Sequence, residues 1–197
     1  MISRKTKANI FIIFVTLLAL LFYGFFISKN KGSIVINQNE QKTDEILLQK
    51  GVTKFSNVEY KTSDKEDREY TTRGKEALIS KKKPDLIELN EVHSFTKLKD
   101  GTILNIRSDK ANYFKNTKNI SYIKNVIITN KDGKITADFA DFYQNKNLIR
   151  LTDNVIFKDT KSVIKGDIAE LNTLNNSLEI FMKKNRDKVY GQTKSKK

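Results

Sequence analysis

The chain has 197 residues, 37 of them Lys or Arg, a formal charge of +14, one histidine and no cysteine. The missing cysteine excludes a disulfide framework, a thiolate metal site and a lipid-modified cysteine, and the lone His93 leaves no multi-histidine metal site and reads as a surface residue. The charge sits at the ends, with +5 over residues 1–31 and +6 over 182–197 against +3 between them, so nucleic acid, which needs the basic surplus on the fold itself, is not an expected partner.

Residues 1–9 are short and basic, with Arg4, Lys5 and Lys7, and are expected in the cytoplasm. Residues 10–27 are uncharged and apolar (IFIIFVTLLALLFYGFFI), long enough to cross a bilayer core as a helix. A cleaved signal peptide is the competing reading. The length of the run and the exit Phe25-Phe26-Ile27-Ser28-Lys29, without a small-x-small site, favour an uncleaved transmembrane helix. Three basic residues and the amino terminus before the span, against Lys29 and Lys31 after it, orient the bulk of the chain away from the cytoplasm. Residues 28–50, polar apart from Ile34-Val35-Ile36, read as a periplasmic linker. Sheet material is expected from 51 to 185, starting with a strand through Phe55, Val58 and Tyr60 and a return strand from Tyr70 to Leu78. Residues 186–197 lose the apolar pattern and are expected to form a basic flexible tail.

Within the sheet region the chain repeats itself. Ala111, Ala140 and Ala169 lie 29 residues apart. Each is preceded by a small residue and an aspartate: Ser108-Asp109, Ala137-Asp138 and Gly166-Asp167. Each is followed at nine and eleven by apolar residues: Ile120/Tyr122, Ile149/Leu151 and Leu178/Ile180. A degraded copy surrounds Ala77, 34 residues before Ala111. A fixed period of this length marks stacked supersecondary units. Apolar residues of one parity alternate with polar ones, the mark of half-buried strands. The Asn-rich clusters at 116–119, 144–147 and 172–176 read as turns within units, and Lys99-Asp100-Gly101 and Lys131-Asp132-Gly133 as hairpins between them. Parity changes at the small residue and aspartate, which predicts a bulge there. Each unit is about two antiparallel strands with one apolar side that it cannot bury alone, so the units must stack. The expected fold is all-β: a single N-terminal transmembrane helix followed by an open antiparallel β-jelly roll of two facing sheets.

No phosphate loop, nucleophile elbow or calcium-loop spacing is present, and an aspartate recurring in every unit reads as a bulge residue rather than a catalytic acid. No catalytic residue, metal site or cofactor is expected, and the chain reads as a non-enzyme. The inward-facing set is Ile106, Tyr113, Ile120, Tyr122, Val126, Ile128, Phe142, Ile149, Leu151, Val155, Phe157, Leu171, Leu178 and Ile180. These side chains are either a closed core or the lining of an apolar groove suited to acyl chains. The terminal strands, at Phe55, Val58 and Tyr60 and at Leu178, Ile180 and Met182, are candidate edges for adding a partner's strand.

Phe55-Ser56-Asn57-Val58-Glu59-Tyr60, the Ile106-to-Tyr113 run I-x-S-D-K-A-N-Y, and Gly133 to Tyr143 followed by Leu151-Thr152-Asp153-Asn154-Val155 resemble the OstA-like LptC family of lipopolysaccharide export proteins. Together with the anchor, the resemblance covers about residues 1–185. It implies an inner-membrane, single-pass protein with most of its chain in the periplasm. Such a protein would accept lipopolysaccharide from an ABC transporter (LptB/LptF/LptG-like) and pass it through its groove to a periplasmic OstA-like partner (LptA-like). The other reading is a membrane-tethered periplasmic β-scaffold that binds only protein, by strand addition.

Overall fold

A computed structural model describes residues 33–36, 51–63, 68–183 and 189–193. The segments expected as cytoplasmic N-terminus (1–9) and transmembrane helix (10–27) lie outside the described residues, as does most of the linker. Among the described residues no helix is long and apolar enough to cross a membrane.

The described residues form eleven strands: β1 (Ser33–Ile36), β2 (Val52–Ser63), β3 (Glu69–Ser80), β4 (Lys83–Lys97), β5 (Ile103–Phe114), β6 (Asn119–Thr129), β7 (Lys134–Tyr143), β8 (Leu148–Lys158), β9 (Ser162–Asn172), β10 (Ser177–Phe181) and β11 (Tyr190–Thr193). β1 to β10 follow one another across a single sheet in chain order, and β11 pairs with β9. From β2 onward the paired strands are antiparallel. Each strand turns straight back on its neighbour because the connections are short and carry turn chemistry. Lys118, Asn147 and Asn176, 29 residues apart, all take the left-handed conformation that closes a tight turn. Asn130 Oδ1 accepts from the backbone N–H groups of Asp132 and Gly133, and Asp159 Oδ1, 29 residues on, accepts from those of Lys161 and Ser162. The repeat is therefore visible in the backbone as well as in the side chains.

Both Asp-Gly hairpins form as expected, but their glycines serve different ends. Gly101 does adopt a positive φ, +82°, but Gly133 does not. The Asn130 side chain makes that turn, and Gly133 is needed for space: a Cβ there would lie 2.7 Å from the Lys158 carbonyl oxygen and 2.9 Å from the Phe157 ring.

Cross-strand registers explain the recurring alanine. Phe55, Ala77, Leu89, Ala111, Tyr122, Ala140, Leu151, Ala169 and Ile180 stand directly opposite one another in an unbroken row across nine strands. Small and large side chains alternate along it, so each large one has room over its neighbour's methyl. A second row, Ile79, Ile87, Tyr113, Ile120, Phe142, Ile149, Leu171 and Leu178, runs beside it. Each fully buried aliphatic or aromatic side chain contributes about 1.5–3 kcal/mol relative to exposure, and stacking the repeats removes these rows from water together.

Every long strand is interrupted at its middle along one line. Register shifts fall between Arg107 and Lys110, Ile123 and Val126, Thr136 and Phe139, and Thr152 and Val155. Lys124-Asn125 and Asp153-Asn154 sit at these breaks with both residues left-handed, as do the single residues Asn57 and Glu91 upstream. The repeating aspartates hold the line together. Asp109 Oδ2 accepts from Asn125 Nδ2 at 2.9 Å, Asp138 Oδ2 from Asn154 Nδ2 at 2.6 Å, and Asp167 Oδ2 from the Lys183 backbone N–H at 2.9 Å. The break lies level with the predicted bulge, but the extra residue sits on the facing strands, at Lys124-Asn125 of β6 and Asp153-Asn154 of β8, because the repeating aspartate holds the bulge from the neighbouring strand; its role is to crease the sheet.

Folded along the crease, the two halves of the sheet face each other. Tyr60 meets Tyr113 with ring centroids 4.3 Å apart, Tyr70 meets Phe142 at 5.1 Å, and Gln144 Nε2 donates to Thr62 Oγ1 at 3.5 Å. None of these pairs lies on adjacent strands. Arg68 closes the mouth at one side, donating to the Thr173 carbonyl at 2.8 Å and to Asn147 Oδ1 at 2.5 Å. The two expected layers are thus one sheet bent on itself.

Two further departures concern the ends. The stretch read as linker contains β1, next to β2 in the strand order. The stretch read as a flexible tail contains β11, whose Tyr190 to Thr193 pair with Lys165 to Ser162. β10 covers only Ile168 to Asn172 of β9, and unpaired backbone groups on the rest of that edge are satisfied by the returning chain.

Candidate functional site: an apolar seam between two half-sheets

The candidate site is the space enclosed by the crease. Of the residues predicted to face inward, Ile106, Tyr113, Ile120, Tyr122, Val126, Ile128, Phe142, Ile149, Leu151, Val155 and Leu171 are buried in one continuous cluster. Phe157, Leu178 and Ile180 are partly buried against it. The predicted edge residues are less uniform. Val58 is buried in the same cluster, Phe55 and Tyr60 pack on it, and Met182 lies just beyond the end of β10. Asn57, left-handed at φ +52°, is the reason Phe55 and Val58 share a face despite their opposite parity.

The seam is not evenly filled. Between β2, β3, β4 and β5 lies a cavity of about 170 Å³, walled by Phe55, Val58, Tyr60, Ala77, Ile79, Ile87, Leu89 and Tyr113, with Glu59 and Thr72 at its margin. At the other end, a cavity of about 80 Å³ lies among Leu104, Ile128, Ile135, Phe157, Leu171 and Leu178 and opens toward Asn130, Asp132 and Asn176. Between them is a chamber of only about 20 Å³. It shares Thr72 with the first cavity and Leu104 with the second, so the three lie in series along the stack of strands.

The middle chamber differs in chemistry. Among Ile106, Ile120, Phe142 and Ile149 stand Thr62, Thr72, Ser94, Thr96, Gln144 and Thr173, all buried. Thr72 and Ser94 hydroxyls pair at 2.9 Å, Thr96 donates to the Glu69 carbonyl at 2.8 Å, and Thr173 to the Asn147 carbonyl at 3.2 Å. Tyr122 is 1 % exposed. Burial pushes its phenol well above the ordinary value, and the nearby Ser94 and Thr72 hydroxyls draw it only partly back. Its oxygen nonetheless makes no well-formed hydrogen bond, and neither does Gln144 Oε1. At the wide cavity, the Tyr113 hydroxyl donates to Tyr60, and burial raises its proton affinity in the same direction as that bond. Among the described residues no cluster of acids and histidines is arranged to hold a metal ion.

Sequence reasoning placed the inner face but not the wide cavity. Ile79, Ile87 and Leu89 line it and were not among the predicted groove residues; of those, only Tyr113 reaches it. The available signal was the degraded repeat at Ala77, whose 34-residue spacing puts it out of step with the others. Gln144 belongs to an Asn-rich turn cluster and does open the short 3₁₀ turn Gln144–Lys146, but its side chain lines the seam.

In a scan of protein families, the one described as lipopolysaccharide-assembly, LptC-related, matches residues 41–156, more than half of the chain. A search of curated proteins returned no match.

Proposed function

The chain belongs to the LptC-related lipopolysaccharide-assembly family, which serves lipopolysaccharide transport, and on that premise we propose that it is a non-enzymatic bridge. Residues 10–27 anchor it in the inner membrane by a single pass, with the bulk of the chain in the periplasm. The creased sheet accepts lipopolysaccharide from an ABC transporter, shelters its acyl chains in the seam, and passes them to a periplasmic OstA-like partner. The anionic headgroup stays outside, in water.

The observation that carries this reading is the wide cavity of about 170 Å³ with aliphatic and aromatic walls, set at one end of a seam that runs through the stack. Exposing hydrocarbon to water costs about 0.8 kcal/mol per CH₂, so a path for acyl chains needs a continuous apolar wall. The inward side chains between Ile106 and Ile180, closely packed except around the cavity of about 80 Å³ at the far end, are the rest of that path; lipid occupies it by parting the half-sheets. Phe55, Val58 and Tyr60 mark the end that receives lipid, and Leu178, Ile180 and Met182 the end that delivers it.

Photo-crosslinking amino acids placed one at a time at Ile79, Tyr113 and Phe157 test the proposal. With ATP and the transporter present, adducts with lipopolysaccharide are expected at all three. No adduct at any of them in cells that export lipopolysaccharide normally rejects it. The alternative, a tethered scaffold that binds only protein through strand edges, predicts protein adducts at β2 and β10 and none with lipid.

A further inference from the structure

The polar chamber halfway along the seam is at odds with its surroundings. An apolar conduit gains nothing from buried hydroxyls, and a closed core gains nothing from orphaned ones. Yet Tyr122 Oη and Gln144 Oε1, on residues 1 % and 2 % exposed, face one chamber with no well-formed hydrogen bond, although the Ser94 and Thr72 hydroxyls lie near Tyr122 Oη. Turning the Gln144 amide over changes which end is orphaned and does not remove the orphan, since its other end reaches only Thr62 at 3.5 Å. A buried polar atom that no protein group satisfies is satisfied by ordered water where there is room. The chamber measures about 20 Å³, and about 10–15 Å³ by this measure admits one water molecule, which needs two to four polar partners. Tyr122 can donate to it, Gln144 can accept from it, and the Thr72–Ser94 hydroxyl pair stands on the same wall.

We propose that Tyr122 and Gln144 hold a single water molecule in this chamber, and that the hydrated collar is the closed gate of the seam. On this view, which rests on the lipid-carrying reading above, the seam is not one continuous slide. Apolar chains seat in the wide cavity and stop at the collar. To go further they must displace a water that is bound on several sides and leave the hydroxyls around it unpaired. Hydrocarbon supplies no replacement hydrogen bonds, so the collar resists it until force from the transporter, or docking at the far edge, parts the half-sheets. The arrangement gives direction to a carrier that holds no energy source of its own. It also separates acceptance of lipid from its delivery.

The test uses the full chain in cells with its transporter. A photo-crosslinker is placed at Ile79, on the wide cavity, or at Leu178, on the far cavity, and labelling by lipopolysaccharide is measured with and without ATP. In the unaltered collar, labelling without ATP is expected at Ile79 alone. In Tyr122→Phe/Gln144→Met, which removes both groups that hold the water at nearly constant volume, the ratio of Leu178 to Ile79 labelling without ATP is expected to rise at least fivefold. An unchanged ratio with Ile79 still labelled overturns the gate and leaves lipid carriage standing. No labelling at either site, with ATP present, overturns both. The single variants Tyr122→Phe and Gln144→Met are expected to give intermediate ratios, and they decide the matter if the double variant does not fold. A high-resolution crystal structure checks the water directly. One density peak within hydrogen-bond reach of Tyr122 Oη and Gln144 Oε1 is expected, and its absence overturns the water site.

Discussion

Filling the wide cavity should make the protein more stable and less useful at once. The cavity measures about 170 Å³; at about 24 cal/mol per Å³ of void, such a space represents roughly 4 kcal/mol of packing not realised. That is a large share of the roughly 5–15 kcal/mol that holds a typical domain together. Ala77 is 3 % exposed, stands between Phe55 and Leu89 in the cross-strand row, and forms part of the cavity wall. Ala77→Leu adds three carbons pointing into the space. At about 0.8 kcal/mol per buried carbon the gain has an upper limit of about 2.4 kcal/mol, and imperfect fit reduces it, so a net 1–2 kcal/mol is expected. In a chain of this size that raises Tm by about 2–8 °C. Thermal melts of the purified protein followed by circular dichroism measure the first effect. Complementation of a depleted strain, with lipopolysaccharide adducts at Ile79 as the direct readout, measures the second. A more stable variant that fails to complement and loses its adducts is the expected outcome. A variant that is equally stabilised and complements fully would show that the cavity is a packing defect and that lipid does not use it. A variant destabilised by more than about 1 kcal/mol, as overpacking produces, would show that the space is not available to a side chain, and the premise would fail.

Three other outcomes follow from the crease, the far edge and the β4–β5 hairpin. Asn154→Val places a β-branched residue at φ +55° and removes the 2.6 Å bond to Asp138; a loss of about 1–3 kcal/mol in urea unfolding is expected, with Asn154→Gly milder because glycine accepts the left-handed backbone. Equal losses for both would show that the conformation is not what matters there. Gly166→Ala sets a Cβ 2.4 Å from Ile180 Cγ2 and 2.9 Å from the Phe181 carbonyl oxygen, so β10 must move off β9; faster amide exchange over residues 177–181 is the expected sign, and unchanged protection would refute it. Asp100 is held at about 2, below its ordinary 3.8, first by the 2.6 Å bond from Lys131 Nζ and then by the Thr102 backbone and hydroxyl at 2.9 Å. Its folded value is depressed, so its contribution is present above 3.8 and lost as pH falls through 2. Carboxyl-carbon NMR should give a midpoint near 2 that moves up in Lys131→Met, and a midpoint near 3.8 in the unaltered protein would refute the bond.

The sequence by itself determined the strands, their inward faces and the place where they bend. These are local properties: parity along an extended chain decides which side a residue takes, an Asn or Asp side chain closes its own turn, and an aspartate recurring every 29 residues marks the bulge whichever strand follows. The Ala111, Ala140 and Ala169 row was legible for the same reason, since a repeat that stacks brings equal positions into line. Only the tertiary structure decided what each inward face meets. Ile79, Ile87 and Leu89 carry the same pattern as Ile120, Ile149 and Leu151, yet the first three border a cavity of about 170 Å³, while the most that Ile120 and Ile149 border is a chamber of about 20 Å³. The difference arises across the fold, between half-sheets far apart in the chain, where side-chain volumes either match or leave a gap. Gln144 is hidden for a like reason, because a turn residue turns inward only if Thr62, 82 residues earlier, is there to receive it. β11 follows the same logic: four residues of a basic tail became a strand because β10 left part of the β9 edge without partners.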